Sequence, residues 1–429
     1  MAGLAYACGK RALDVVLAAS LLAVFAPLAL VALAPVRRGL LPRLASVTCI
    51  GRAERRFRLR FEIVAPGRSR FGRLLASSAL PRWPVLLSVV AGHVSLVGPR
   101  VLDAAEAAAL PAPERDRFAV RPGLVCYWWL QQRSNIDFGT EADADRRYRA
   151  QRSLAADASI LLRALLAMPY GRPAAPPRAV EHIAGIRLLN LGMDELVGAI
   201  LTAVEGRVRT RIAFVNPDCV NIAARDPLYR AALARADWVC PDGIGMKIAG
   251  RILERPIRQN LNGTDLFPRL CAAAAGGGHR IYLLGARPGV AAAVARWARR
   301  HYPGIKIAGC HSGYFEGDGE EAAIAGIRRS RADILLVAMG APRQELWLQR
   351  HLERTGALVG VGVGGLFDFY GGRIPRAPLW LREIGGEWIY RLLQEPRRMW
   401  RRYLIGNAVF LWRVARERMA GAPAAGGNR

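Results

Sequence analysis

Residues 212–365 repeat one pattern: a short apolar run, a turn carrying glycine or proline, then a helical stretch. The runs fall at 212–215, 238–240, 281–285, 333–339 and 359–363. Strands alternating with helices argue for an α/β domain with a mostly parallel sheet. One helix is expected after the first run to about residue 236, and another from about Gly289. Each glycine-bearing turn lies at the C-terminal end of a strand, where open α/β sheets bind their ligands. The expected fold class is therefore α/β. It comprises a Rossmann-like sheet domain with a helical C-terminal appendage, preceded by a smaller membrane-associated domain that is α/β or mainly helical.

The strand ends hold the polar residues. Asn216-Pro217-Asp218 ends the first, and Pro241-Asp242-Gly243-Ile244-Gly245 the second. Asn262-Gly263-Thr264-Asp265 opens a helix that Thr264 and Asp265 can cap. Gly285-Ala286, Gly340-Ala341-Pro342-Arg343-Gln344-Glu345 and residues 362–368 close the later strands. Glycine admits a phosphate or sugar close to the backbone, and amides at helix starts favour anions. Taken singly, Asp242 reads as a turn residue and Glu345 as a first-turn complement to the helix dipole. Their shared place at strand ends makes them candidates for chemistry.

The first half differs. Residues 15–36 are uncharged and apolar, preceded by Lys10-Arg11 and followed by Arg37-Arg38. That length is enough to cross a bilayer, which takes about 20 residues. Pro27 and Pro35 break the run, so a bent, partly inserted hairpin competes with a straight span. Residues 52–75 are Arg-rich with interleaved apolars, and 157–167 have helical periodicity. Residues 171–181, with three prolines in 171–178, read as a linker, and 419–429 as a disordered tail.

Composition narrows the partners. The formal net charge of +28 favours nucleic acid, phospholipid headgroups or phosphorylated substrates. The basic residues are almost all arginine, with lysine only at 10, 247 and 306, a pattern that a coding bias could produce without functional demand. No helix-turn-helix, zinc-finger or RRM pattern is present, and nucleic acid is not an expected partner. Seven scattered cysteines without a CxxC pair read as buried, reduced thiols. No HExxH or Cys/His cluster appears, so no metal and no cofactor is expected.

Residues 183–412 resemble the WecG/TagA/CpsF family of bacterial glycosyltransferases. The residues that carry the likeness are Pro241-Asp242-Gly243-Ile244-Gly245, Asn262-Gly263-Thr264-Asp265-Leu266, residues 339–347, Gly364-Gly365-Leu366-Phe367-Asp368, Arg376-Ala377-Pro378, residues 387–392 and Glu395-Pro396-Arg397-Arg398. The resemblance implies inverting transfer of a sugar from a UDP-sugar to an undecaprenyl-diphosphate-linked sugar. It makes Asp242 the general base, a role that suits a carboxylate taking a proton from an attacking hydroxyl. Donor contacts are expected from Asn216, Asp218, Gly243, Asn262, Gly263, Thr264, Asp265, Gly285, Gly340, Gln344 and Glu345. Acceptor contacts are expected from Arg376, Arg391, Arg397, Arg398, Arg401 and Arg402, beside Trp400, Tyr403, Phe410 and Trp412. The chain departs from the family's Thr-x-Asn by reading Asn216-Pro217-Asp218.

The N-terminal half resembles the bacterial sugar transferases, the polyprenyl-phosphate phosphoglycosyl transferases. Lys10-Arg11-Ala12-Leu13-Asp14, residues 92–100, Arg121-Pro122-Gly123 and residues 153–157 carry that likeness. Pro81 and Arg82 stand where that family has its Asp-Glu pair, and His93 stands where Asp is usual. Neither proline nor arginine supplies a carboxylate nucleophile. The expectation is a degenerate membrane-docking domain over residues 1–170, a linker over 171–181 and the transferase over 182–418. The setting implied is the cytoplasmic face of the bacterial inner membrane. Homo-oligomerisation stays open, as do two competing readings: a bifunctional enzyme and a non-enzymatic scaffold.

Overall fold

The computed structural model describes residues 2–33, 43–63, 80–134, 140–167, 178–315 and 317–421. The expected linker lies mostly outside these residues, as does the tail beyond residue 421. The chain divides into two compact units, Met1–Gly171 and Arg172–Arg429.

In the first unit a single helix spans Ala2–Ala32 and continues through Pro27. The expected break at Pro27 does not occur, because loss of one N–H leaves the remaining ladder of a long helix in place. Its length, about 46 Å at 1.5 Å per residue, exceeds the roughly 30 Å of a bilayer's hydrocarbon core. Val16, Val24, Leu28 and Val31 are exposed. The polar residues at its base are anchored. Lys10 Nζ donates to Asp157 Oδ2 at 2.8 Å, Asp14 accepts from Ser95 Oγ at 2.7 Å and the Leu96 amide at 3.1 Å, and Arg11 donates to the Val89 and Val90 carbonyls. Strands β1 (Leu44–Ile50) and β2 (Arg56–Glu62) form an antiparallel hairpin from the Arg-rich stretch. Among the described residues the unit's other strands are β3 (Ser95–Val97), β4 (Leu102–Asp103) and β5 (Gly123–Val125), and β3 pairs with β5. Glycine is obligatory in the turn at 98, where a Cβ would stand 2.4 Å from the Arg121 carbonyl oxygen.

The second unit opens with a hairpin of β6 (Val180–Ile183) and β7 (Ile186–Leu189). Its centre is a six-stranded sheet with all pairings parallel: β8 (Thr210–Val215), β9 (Trp238–Pro241), β10 (Arg280–Gly285), β11 (Lys306–His311), β12 (Ile334–Ala338) and β13 (Val359–Gly362), in the order β11-β10-β12-β13-β8-β9. Both faces are covered. Ile281 and Leu283 of β10 pack with helices Met193–Glu205 and Val290–His301, while Tyr282 and Leu284 pack with Gly319–Ser330 and Arg343–Thr355. Such two-sided burial explains why the strands read as unbroken apolar runs.

Two expectations need correction. The helix expected to run to about residue 236 is two helices, Pro217–Ala223 and Pro227–Arg235, because Asp226 caps a new start with Pro227 at its first position. Strand β11 was not expected; Lys306, Gly309 and His311 interrupt its apolar character, as suits an edge strand. Five cysteines are buried as anticipated, but Cys8 and Cys310 are exposed; all seven are free.

Candidate active site

The connections after β10 and β12 leave in opposite directions, towards β11 and β13 respectively. Open α/β sheets form their ligand crevice at such a reversal. Gly285 closes β10 with φ at 139°, and a Cβ there would sit 2.4 Å from the Ala338 carbonyl oxygen of β12. Its role is close packing of the two strand ends. Gly340, φ 77°, turns the chain from β12 into helix Arg343–Thr355, and its amide donates to Gln344 Oε1 at 3.2 Å. The same oxygen accepts from the Gly364 amide at 2.9 Å. Gln344 thus clamps the turns that follow β12 and β13.

Asp242 follows β9. Its amide donates to the Val215 carbonyl at 2.8 Å, and Asn216 Nδ2 reaches its Oδ2 at 3.4 Å. Asn216 also caps helix Pro217–Ala223, its Oδ1 accepting from the Asp218 and Cys219 amides. Next in the chain, Gly243 takes φ 84° and its amide donates to Asn260 Oδ1 at 2.6 Å. Surrounded by protein yet partly open to solvent, Asp242 has its carboxyl pushed up to about 6 by burial. The Asn216 hydrogen bond and the Arg402 charge oppose the rise, while Glu387 and Asp265 add to it.

Asn262, not Thr264 or Asp265, caps helix Gly263–Gly277. Its Oδ1 accepts from the Asp265 amide at 2.8 Å and its Nδ2 donates to Asp265 Oδ2 at 2.7 Å. Gly263 packs against Val363, and the Thr264 carbonyl accepts from Tyr370 at 2.8 Å. Arg376 joins Asp265 to Glu387, with Nε 3.4 Å from the latter. It is therefore committed to two carboxylates.

The C-terminal helices reach the same place. A π-helical turn, Arg401–Ile405, separates helices Pro396–Trp400 and Gly406–Met419. Arg402 Nε lies 3.1 Å from Asp218 Oδ2, and Asn221 Nδ2 donates to the Gly406 carbonyl at 2.7 Å. Tyr403, one of the aromatic residues noted beside the candidate acceptor arginines, has Asp242, Glu387, Arg391 and Arg402 as electrostatic neighbours. Arg391 sits over the Phe369 ring, 5.4 Å from its centroid, and against Gly365.

The structure sorts the candidate residues. Asp242, Asn216, Asp218, Gly243, Asp265, Arg376, Arg391 and Arg402 converge with Glu387 and Tyr403. Arg397, Arg398 and Arg401 are exposed; Arg398 pairs with Glu395 at 3.2 Å and Arg401 lies over Trp400. Glu345 faces the interior beside Cys219 and Tyr229, accepting from Gln344 Nε2 at 2.8 Å. Burial pushes it up to about 7, and its other oxygen has no hydrogen-bond partner among the described residues. In this position it braces Gln344.

The first unit offers no carboxylate at 81 and 82. Pro81 is buried and Arg82 exposed in the turn Leu80–Arg82. Nearby Glu62 is buried and accepts from Trp83 Nε1 at 3.2 Å. His93 stacks on Phe57, with ring centroids 5.6 Å apart.

Residues 181–423 match the Glycosyl transferase WecG/TagA/CpsF family, and residues 5–170 match the bacterial sugar transferases. Among similar proteins are two from Bacillus named N-acetylglucosaminyldiphosphoundecaprenol N-acetyl-beta-D-mannosaminyltransferase. That of Bacillus spizizenii is 37% identical over 193 residues, 45% of this chain and 74% of the relative. That of Bacillus subtilis is 33% identical over 202 residues, 47% and 77%. A Staphylococcus aureus protein of the same name is 29% identical over 240 residues, 56% and 93%. The chain is a glycosyltransferase. It belongs to the WecG/TagA/CpsF family.

Proposed function

We propose that residues 182–418 transfer a sugar, with inversion, from a UDP-sugar to a polyprenyl-diphosphate-linked saccharide at the cytoplasmic face of the inner membrane. The observation that carries this reading is Asp242, a carboxylate at a strand end that burial raises, with Arg402 of the C-terminal helices as a charge neighbour that also pairs with Asp218. Asp242 takes the proton of the acceptor hydroxyl as its oxygen bonds to the anomeric carbon and the carbon–oxygen bond to UDP breaks. A base with a pKa near neutrality combines adequate ionisation with proton affinity. Arg391 and Arg402 hold the acceptor diphosphate through charge-assisted hydrogen bonds. The glycine turns after β10, β12 and β13 receive the nucleotide. The relatives' names support the acceptor class. The test is formation of a lipid one sugar heavier, with stoichiometric UDP, from a polyprenyl-diphosphate-sugar and a panel of UDP-sugars.

The pH profile follows from the direction of the Asp242 shift. Protonation removes the base, so kcat/KM falls as pH drops through about 6 and is flat above it until another group titrates. Steady-state rates from pH 5 to 8 check this. An acid limb centred near 4 would mean that Asp242 titrates like an ordinary carboxylate.

The first unit, residues 1–170, serves as a docking domain without phosphoglycosyl transfer. Its long apolar helix favours membrane association, as do exposed Leu393, Trp400, Leu404, Ile405 and Trp412 in the C-terminal helices. The full chain carrying Asp242→Asn, given polyprenyl phosphate and UDP-sugars, is expected to release no UMP above a protein-free control. UMP release with matching lipid product would establish a nucleophile elsewhere in the unit.

A further inference from the structure

The second unit contains a cavity of about 730 Å³ apart from the Asp242 site. Five arginines line it: Arg178, Arg230, Arg255, Arg413 and Arg416. Arg402 lies at the start of the C-terminal helical run beside Asp218, and Arg413 is eleven residues further along. That spacing corresponds to roughly 16 Å of helix. The cavity therefore opens at the other end of this helix from Asp242.

Among the described residues, two carboxylates line the cavity, Glu181 and Glu417, and both are already engaged. Glu417 accepts from Arg255 at 2.5 Å and from the Ala184 amide at 2.8 Å; Glu181 is buried and accepts from the Arg178 amide at 3.3 Å. Arg230 Nε is spent on the Ala223 carbonyl at 2.9 Å. Arg413 Nε is buried with no hydrogen-bond partner among the described residues, and Arg416 lies over the Trp412 ring. Among the described residues, no ion pair joins Arg178, Arg230, Arg413 or Arg416 to a carboxylate. Like charges gathered in one concavity, with a desolvated donor unmet, favour an anion. Guanidinium groups suit phosphate oxygens best, through paired N–H bonds.

We propose that this cavity binds a phosphate-bearing anion at a site separate from the one that contains Asp242. The assignment rests on the cavity's own residues and does not depend on the proposed reaction.

The test uses the full chain in detergent and inorganic diphosphate, titrated calorimetrically at low and at moderate salt. Arg413→Ala/Arg416→Ala is expected to weaken one diphosphate site at least tenfold, while Arg391→Ala/Arg402→Ala leaves that site intact. Footprinting of the unmutated protein with phenylglyoxal removes any dependence on how the variants fold. Diphosphate is expected to protect Arg413 and Arg416. A parallel arm replaces diphosphate with vesicles of phosphatidylcholine containing phosphatidylglycerol, against phosphatidylcholine alone. Protection only by the anionic vesicles assigns the phosphate to a lipid headgroup; protection by diphosphate assigns a free ligand. Wild-type affinity and stoichiometry in the Arg413/Arg416 variant, or no protection in either arm, would overturn the proposal.

Discussion

Replacing Asp242 by Asn is expected to lower kcat by roughly 10²–10⁴-fold, the usual contribution of a positioned general base. Asparagine keeps the size of the side chain and an oxygen for the Asn216 amide, so donor and acceptor KM should change little. The same variant is expected to be the more stable protein at pH 7.5. The sign follows from the raised pKa. In the unfolded chain the carboxyl ionises near 4, and in the fold near 6. Between these values the unfolded state loses its proton first, so stability falls as pH rises and the loss persists above 6. Removing the charge recovers stability on the order of 1–3 kcal/mol at pH 7.5. A thermal melt and a single-turnover rate on the same preparation check both halves. Full activity would remove Asp242 from the mechanism, and a lower melting temperature would contradict a carboxylate destabilised by its burial.

Arg402→Ala is expected to raise the acceptor KM by about 10–100-fold with little effect on the donor KM, given that hydrogen bonds to charged groups contribute about 1.5–3 kcal/mol. Arg402 is half-buried, 3.1 Å from Asp218, and its positive charge lowers the Asp242 pKa. Its removal should therefore also move the acid limb of the rate profile to higher pH, which loss of a remote membrane contact would not do. Arg398→Ala is the comparison. Arg398 is exposed and paired with Glu395, and surface pairs contribute about 0–1 kcal/mol, so acceptor KM in detergent should stay within a few-fold of wild type. Equal losses in both variants would point to general surface charge.

The sheet was legible because its strands are buried on both faces and end in glycine turns, as β12 shows between Asp333 and Gly340. The edge strand β11 was not, since an edge needs fewer apolar residues. Pro227 was overlooked because proline after a capping Asp starts a helix as readily as it ends one. Asp242 stands out in the sequence as a candidate through its motif, but its raised pKa is set by burial and modulated by Arg402 and Glu387, more than 140 residues away in the chain. Among six candidate arginines, charge and spacing could not separate Arg391 and Arg402 from Arg397, Arg398 and Arg401. The π-helical turn at 401–405 interrupts the α-helical periodicity from which their faces would be read. Glu345 looked like a cleft residue because it shares a motif with Gln344. Both are buried, and only the folded structure shows that the Glu345 carboxylate accepts from Gln344 Nε2.

The proposed transfer of a sugar from UDP to a lipid-linked acceptor at Asp242 can be tested in one reaction. The detergent-solubilised full chain is incubated with a short-chain polyprenyl-diphosphate-N-acetylglucosamine and each of a set of UDP-sugars, and nucleotide and lipid products are read together by mass spectrometry. The expected result is one productive donor, UDP and extended lipid in equal amounts, and loss of both in Asp242→Asn. No extended lipid with any donor, or UMP in place of UDP, would contradict it.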